Sequence, residues 1–394
     1  MGELRIIIHR GTSQIGGVCT EIATDHTRII FDLGAPLEGE GNQERLDIDG
    51  VTSGKAFCDG VFLTHYHGDH VGEIPDLLPG IPIYMGKAAK EILMAQQKYK
   101  KRLGYTQWAE TAVAIEREEP IMIGDLCVTP IPSDHSAFDS LMFLIEGEDR
   151  RILLTGDFRL HGLYTERLES RLKTIGRIDL LITEGTNLTR DNGVWHDENW
   201  VRKEFQRILS QYKYVFLLAS SSNLDRIAEF AKCIGKRRYM LMDTYQKELM
   251  EIRNKYCPTE LRAEKITWLD AHPRQELKDK IEKLGFGMAV RTSEPFQKMV
   301  QYYSEKYPDD TCLIYSMWSG YRKLEGVKEM IGLCRNIETV HVSGHVTRED
   351  LKQMINTLAP GKLLITHTSA SEEEEDGQLF PNLVHVKDEE ELYL

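Results

Sequence analysis

The sequence predicts an α/β protein in which a strand-rich body carries a metal site and a second, parallel-sheet domain is inserted into that body. Three observations lead there. Residues 62–72, F-L-T-H-Y-H-G-D-H-V-G, place His65, His67, Asp69 and His70 within six residues, directly after an apolar run. The same arrangement, an apolar strand with a polar group at its exit, recurs in P-I-P-S-D-H at His135, L-L-T-G-D at Asp157 and D-L-L-I-T-E at Glu184. From about residue 190 to 340 the pattern changes to a regular alternation of helix and strand, the grammar of βαβ units. At 394 residues the chain is also longer than one core usually supports, which agrees with two domains.

Taken in order, residues 4–8, 18–24 and 28–33 are short β-branched runs between Gly-rich or polar turns and predict antiparallel strands. The loop 11–17 is Gly-rich but has no P-loop lysine, so it reads as loop geometry alone. Asp32 ends a strand ahead of Gly34, placed either to cap a turn or to support a metal ligand. Beyond the histidine motif, 81–84 predicts a strand and 86–102 a helix with Ile92, Leu93 and Tyr99 on its apolar side. Residues 121–131 read as a hairpin-like pair of strands that delivers His135. In the insertion, 199–212, 223–234, 246–255 and 296–306 predict helices, and 214–219, 238–242, 285–291 and 312–316 predict strands. Two more histidines then follow strand-like runs, His345 after V-H-V-S-G and His367 after L-L-I-T. A helix over 347–358 lies between them, opened by Thr347 and Asp350 in the manner of a capping box.

Neutral imidazole and carboxylate are ligands that Zn²⁺ and Mn²⁺ both accept. Alternation along an extended segment aims His65, His67 and Asp69 one way, and His70 breaks the alternation toward a second ion. Gly68 stands where a tight turn is wanted. An isolated histidine such as His26 or His161 is more often an ordinary core or surface residue. Three histidines and an aspartate packed together without an ion would leave like charges and unpaired polar atoms side by side, so the cluster points to metal. Groups ejected from the ends of buried strands converge on one rim of a sheet, which brings His135, Asp157 and Glu184 to the same place.

The net charge of −13 argues against a surface that grips nucleic acid everywhere, yet it leaves room for a basic groove on an acidic body. The basic runs at 98–102 and 236–238 read as solvated faces, and the acidic run at 372–376 as a solvated loop. Seven cysteines lie far apart with no C-x-x-C pair and read as buried, reduced thiols. No stretch approaches 18 apolar residues and the start of the chain is strand-like, so a cytoplasmic address and no membrane partner are expected.

These residues resemble the metallo-β-lactamase superfamily, and within it the β-CASP branch of nucleases that includes ribonuclease J and the endonucleases of mRNA 3′-end processing. His65, His67, Asp69 and His70 match the signature motif, and His135 and Asp157 the third and fourth motifs. Glu184 in T-E-G-T-N matches motif A, His345 in V-S-G-H looks like motif B, and His367 in L-I-T-H like motif C. Residues 219–226, A-S-S-S-N-L-D-R, are similar to a strand-to-helix turn of ribonuclease J-type domains. The resemblance implies an αββα metallo-β-lactamase sandwich over 1–190 and 341–394, with an inserted α/β β-CASP domain, built on a parallel sheet, over 191–340.

It further implies two divalent metal ions, with zinc the first candidate and manganese the alternative. One would take His65, His67 and His135, the other Asp69, His70 and His367, with Asp157 between them. Asp69, Glu184 and His345 would be catalytic, His345 supplying a proton or supporting the transition state with Glu184 orienting it. Ser220, Ser221, Ser222, Asn223, Ser316 and Ser343 are candidates to hold substrate phosphates, with helix capping the equal alternative. The implied activity is hydrolysis of single-stranded RNA, from an end or internally. The alternatives are a DNA nuclease, a small-molecule ester, thioester or lactam hydrolase, and an RNA-binding subunit without catalysis. Ribonuclease J members commonly read His-Gly-Glu at motif C, whereas this chain reads His367-Thr-Ser. The sequence given ends at Leu394, where those enzymes continue into a domain used in dimer assembly, so a homo-oligomer is left open.

Overall fold

The computed structural model describes residues 3–37, 41–100, 108–190, 195–235, 238–263, 275–370, 380 and 382–394. The acidic run at 372–376, and residues 101–102 and 236–237 of the two basic runs, lie outside the described residues. The chain divides into two compact units, Met1–Gly193 with Gly344–Leu394, and Val194–Ser343.

The strands are β1 (Arg5–Arg10), β2 (Cys19–Ala23), β3 (Arg28–Phe31), β4 (Gly60–Leu63), β5 (Ile83–Gly86) and β6 (Val113–Ile115). They continue as β7 (Ile121–Ile123), β8 (Leu126–Pro132), β9 (Leu141–Gly147), β10 (Arg150–Leu154), β11 (Leu180–Glu184) and β12 (Tyr214–Leu218). The last six are β13 (Tyr239–Leu241), β14 (Phe286–Val290), β15 (Thr311–Tyr315), β16 (Asn336–Thr339), β17 (Lys362–Thr366) and β18 (Glu391–Tyr393).

The first unit holds two sheets, of order β18-β1-β2-β3-β4-β5-β6 and β17-β11-β10-β9-β8-β7. The predicted antiparallel start is present, since β1 pairs with β2 and β2 with β3 in that sense. Period-two alternation then decides what each face meets. In β10 and β11, Ile152, Leu154, Leu180 and Ile182 face inward and share one core with Ile22, Phe31 and Phe62 of the other sheet. Leu153 and Leu181 point the opposite way, into a second core with Leu168 and Leu172 of the helix Thr165–Leu172 and Leu351, Ile355 and Leu358 of the helix Arg348–Leu358. The first sheet carries the helix Lys87–Lys100 against β5, whose buried Ala88, Ala89 and Ile92 form the contact. The result is the four-layer αββα arrangement. Phe31, Phe62 and Phe143 lock its centre, with ring centroids 5.3–5.6 Å apart, close enough for aromatic pairing to add to burial.

The second unit is a five-stranded sheet of order β13-β14-β12-β15-β16, parallel throughout. Its strands read FGMAV, YVFLL and TCLIY, fully buried apolar runs of the kind a parallel sheet covered on both faces demands. Helices including Glu198–Gln211, Leu224–Ile234, Thr244–Tyr256 and Glu294–Lys306 connect them.

Two expectations change. Residues 340–347 form no strand, because β16 stops at Thr339, so His345 sits on an irregular segment ahead of the helix Arg348–Leu358. Among the cysteines, Cys19, Cys257, Cys312 and Cys334 are buried free thiols, but Cys58, Cys127 and Cys233 are only partly covered. Among the described residues no helix is long and apolar enough to cross a membrane.

Candidate metal centre

Strands from both sheets of the first unit end on one rim, and each exit delivers a side chain. β4 runs into Thr64 and His65; β8 is followed by His135, β10 by Asp157 and β17 by His367, while Glu184 is the last residue of β11. Backbone bonds stitch these exits together: Leu141 N donates to Thr64 O, Thr155 N to Ile182 O and Gly185 N to Thr366 O. Asp69 and His70 do not continue the extended segment. They ride on the one-turn helix Gly68–Val71, so the turn, and not alternation, sets their direction. Gly68 takes an ordinary helical place with open space where a Cβ would stand, and the glycine that matters is Gly34, whose Cβ would fall 1.7 Å from Asp69 O.

The ring nitrogens are fixed from outside. Thr64 Oγ1 donates to Asp32 Oδ2 at 2.7 Å, so the same oxygen accepts from His65 Nδ1 at 3.0 Å. His70 Nδ1 donates to Asp32 Oδ2 at 2.7 Å, and His135 Nδ1 to Gly344 O at 2.7 Å. His367 Nδ1 donates to Thr186 Oγ1 at 2.7 Å, the hydroxyl passing its own proton to His367 O at 3.3 Å. With the proton held on Nδ1 in all four rings, Nε2 carries the lone pair toward the centre, as outer partners of metal-bound histidine do. Of these partners Asp32 was legible in the sequence. Thr64 and Thr186 were not, since a threonine beside a strand end carries no signal of its own. His367 holds a φ of +51°, an uncommon conformation for a residue with a side chain.

The inward atoms form groups whose ligand atoms lie within 4.8 Å of one another: His65, His67 and His135; Asp69, His70, Asp157 and His367; and Asp157, Glu184, His345 and His367. Asp157 is central. Its Oδ2 is 3.8 Å from His65 Nε2, 3.7 Å from His135 Nε2 and 3.3 Å from His70 Nε2, and its Oδ1 is 3.8 Å from His367 Nε2.

The donor set fits divalent cations. His67 Nδ1 lies 3.1 Å from His65 Nε2 and 3.3 Å from His135 Nε2, so the three rings turn one nitrogen each toward a common point. His70 Nε2 and Asp157 Oδ1 are fully buried with no hydrogen-bond partner, an expensive arrangement unless a cation completes it.

Electrostatics sort the same groups. Burial, reinforced by neighbouring imidazoles, keeps the His65 pKa well below the usual value, burial does the same for His135, and burial lowers the His67 pKa. Burial would raise the Asp157 pKa, but facing His367, His70 and His345 hold it well below the carboxylate range. His345 goes the other way. Burial alone would lower its pKa, yet Glu184 at 2.9 Å from Nδ1 and Asp157 at 3.6 Å push it up to about 9. Glu184 is itself held by Phe158 N, which donates to Oε1 at 2.8 Å.

The serines and asparagine of the sequence reading belong to the other unit or its boundary. There Asn223 caps the helix Leu224–Ile234 by accepting from Arg226 N, Ser220 and Ser222 hydroxyls lie 2.8 Å apart, and buried Ser316 accepts from Arg226 Nη1 at 2.7 Å. Ser221 lies in the same turn and Ser343 is the last residue of that unit.

A family model described as a beta-lactamase superfamily domain matches residues 38–242, more than half of the chain. The chain belongs to the beta-lactamase superfamily. A second model, the Zn-dependent metallo-hydrolase RNA specificity domain, matches residues 333–375. Ribonuclease J of Sinorhizobium meliloti is 24% identical over 347 residues, covering 79% of this chain and 58% of that protein. Ribonuclease J 2 of Streptococcus pyogenes serotype M3 is 24% identical over 98% of this chain and 74% of its own length. Protein artemis of Gallus gallus is 28% identical over 43% of this chain and 23% of its own length. The chain thus spans little more than half of the first of these relatives. Together with the inserted parallel-sheet unit, the two models and these relatives place it in the β-CASP branch of the superfamily. A crystal structure of a protein of unknown function from Enterococcus faecalis V583 shares the fold, at 17% identity and a TM-score of 0.77 over the whole of both chains.

Proposed function

We propose that the protein is a two-metal phosphodiesterase that hydrolyses single-stranded RNA. The observation that carries the reading is Asp157, whose carboxylate reaches imidazoles of both ligand groups at 3.3–3.8 Å, the placement a shared ligand needs. His65, His67 and His135 would hold one ion and Asp69, His70 and His367 the other, with zinc favoured by three imidazoles on one site and manganese the alternative. Bound cations would supply an activated water and charge neutralisation at the phosphorus.

The chain's own groups do the rest. Glu184 accepts from His345 Nδ1, which leaves the Nε2–H of the protonated ring to donate to a phosphate or leaving oxygen. Asp69, held in its charged form against His367, contributes negative charge to its own ion site. Asp32, Thr64 and Thr186 keep the imidazoles in the tautomer that presents Nε2. RNA as the substrate is supported by the match to an RNA specificity domain and by relatives named ribonuclease J. The boundaries at 190 and 340, a phosphate role for Ser220, Ser221, Ser222, Asn223, Ser316 and Ser343, and a cytoplasmic location belong to the same proposal.

The test is incubation of protein loaded with Zn²⁺ or Mn²⁺ with single-stranded RNA labelled at its 5′ or its 3′ end. Product lengths separate internal cutting from trimming at either end. If RNA and DNA both stay intact while a thioester or lactam is cleaved, the reading is wrong.

A further inference from the structure

The inserted unit carries aromatic surface that neither its core nor the metal centre explains. After β15 ends at Tyr315, the short 3-10 helix Ser319–Lys323 follows, and Trp318 and Tyr321 are 41% and 43% exposed. Their rings meet edge to face at 5.4 Å and 87°. Gly320 packs against the indole, so that a Cβ there would come within 2.2 Å of a ring carbon, and the Tyr315 hydroxyl fixes the backbone beneath by donating to Trp318 O at 2.6 Å. A single exposed aromatic needs no explanation, but an orienting cradle built for one adds nothing to the core.

Its place in the sheet suggests a use. β12 and β15 are parallel neighbours, and open parallel sheets bind ligands at the rim where such strands end. Ser316 N donates to Leu218 O and Arg226 Nη1 donates to Ser316 Oγ, so the segment 316–324 begins beside the serine-rich turn and the N-terminus of the helix Leu224–Ile234. Arg322 and Lys323 close the short helix with two positive charges. Arg322 is braced over the Tyr315 ring at 4.5 Å and donates to Thr339 Oγ1. Aromatic faces next to cations on a phosphate-tolerant rim are the ingredients of single-strand binding, where every base has a face to stack.

We propose that Trp318 and Tyr321 form a stacking platform for the unpaired bases of single-stranded RNA, with Arg322 and Lys323 meeting its phosphates. This rests on the ribonuclease reading. The platform contributes affinity and not chemistry, so it acts on binding and KM and leaves the turnover of a base-free diester unchanged.

The experiment measures binding of the full chain, in EDTA so that nothing is cut, to an oligouridylate of about ten nucleotides and to an abasic oligomer of the same length. Trp318→Ala is expected to weaken oligouridylate binding about tenfold, with Trp318→Phe retaining most of it. Binding of the abasic oligomer is expected to be unaffected by either change. Gly320→Ala keeps both rings but displaces the indole, and is expected to lose as much as Trp318→Ala. Equal loss on both oligomers, or no loss on either, overturns the platform, as does a change in molar mass by light scattering, which would make this face a contact between copies. Hydrolysis of bis(p-nitrophenyl) phosphate by the metal-loaded protein reports the centre separately. If that activity is present while wild-type protein ignores oligouridylate, the platform falls alone; if both are absent, the ribonuclease reading falls with it.

Discussion

Asp157 shows how much of the centre depends on one side chain. Replacing it with asparagine keeps the volume but removes the charge that five imidazoles face, those of His65, His70, His135, His345 and His367. Asp157→Asn is expected to lower bound metal by elemental analysis and to abolish hydrolysis, and a variant that keeps both ions and full activity would refute the shared-ligand role. That these groups would gather was legible because imidazole and carboxylate at such spacing have few other uses. Their orienting partners were hidden because Thr186 meets His367 across 181 residues. Away from the centre, Glu21 is the residue with the clearest pH signature. Burial would raise its pKa, but hydrogen bonds from His9 and Arg28 bring it from 4.5 down to about 2. A depressed carboxylate stabilises the fold at pH values above its unfolded pKa, and the contribution is lost as pH falls from 4.5 toward 2. Glu21→Gln is expected to cost up to about 3 kcal/mol at neutral pH. In urea unfolding at pH 3 the gap from wild type should shrink.

At the scale of elements, the metal loop is held by backbone more than by side chains. Val18 N donates to Asp69 O, Leu33 N to His70 O and Ala35 N to Gly68 O, which presses the one-turn helix onto the entry of β2 at 17–18 and the exit of β3 at 33–35. Arg10, buried, ties the same two segments by donating to Gly17 O and Gly34 O. A methyl group on Gly34 cannot coexist with Asp69 O at 1.7 Å. Gly34→Ala is accordingly expected to reduce metal content and melting temperature together, whereas Gly68→Ala, facing open space, should change neither much. The sequence pointed to the wrong one of these two glycines, because the clash is with backbone 35 residues away and leaves no local trace. The parallel strands of the inserted unit were readable as apolar runs between helices. β9 was missed: L-M-F-L-I is buried on both faces, so it lacks the alternation that marks a half-exposed strand. β16, with its exposed Ile337 and Glu338-Thr339, was too polar to stand out.

For the molecule as a whole, the metal-type groups found among the described residues all lie in the first unit. A ligand that binds only the folded state stabilises what it binds, by about 2.7 kcal/mol at a hundred times its Kd. Chelation is therefore expected to lower one calorimetric transition, that of the first unit, by several degrees and to leave a second transition in place; a single transition that shifts as one would contradict this. The two-part architecture was legible from the switch in pattern near residue 190. What the pattern could not convey was how the first unit is closed. β17 and β18, the edges of its two sheets, both come after the inserted unit in the chain. Translation therefore imposes a schedule. While residues 194–343 are being made, six of the seven groups from His65 to His367 already exist, but the strand that carries the seventh has not been synthesised. A nascent chain paused in its insert is an open sheet edge with a half-built cation trap, and the return segment closes the edge and completes the trap in one event.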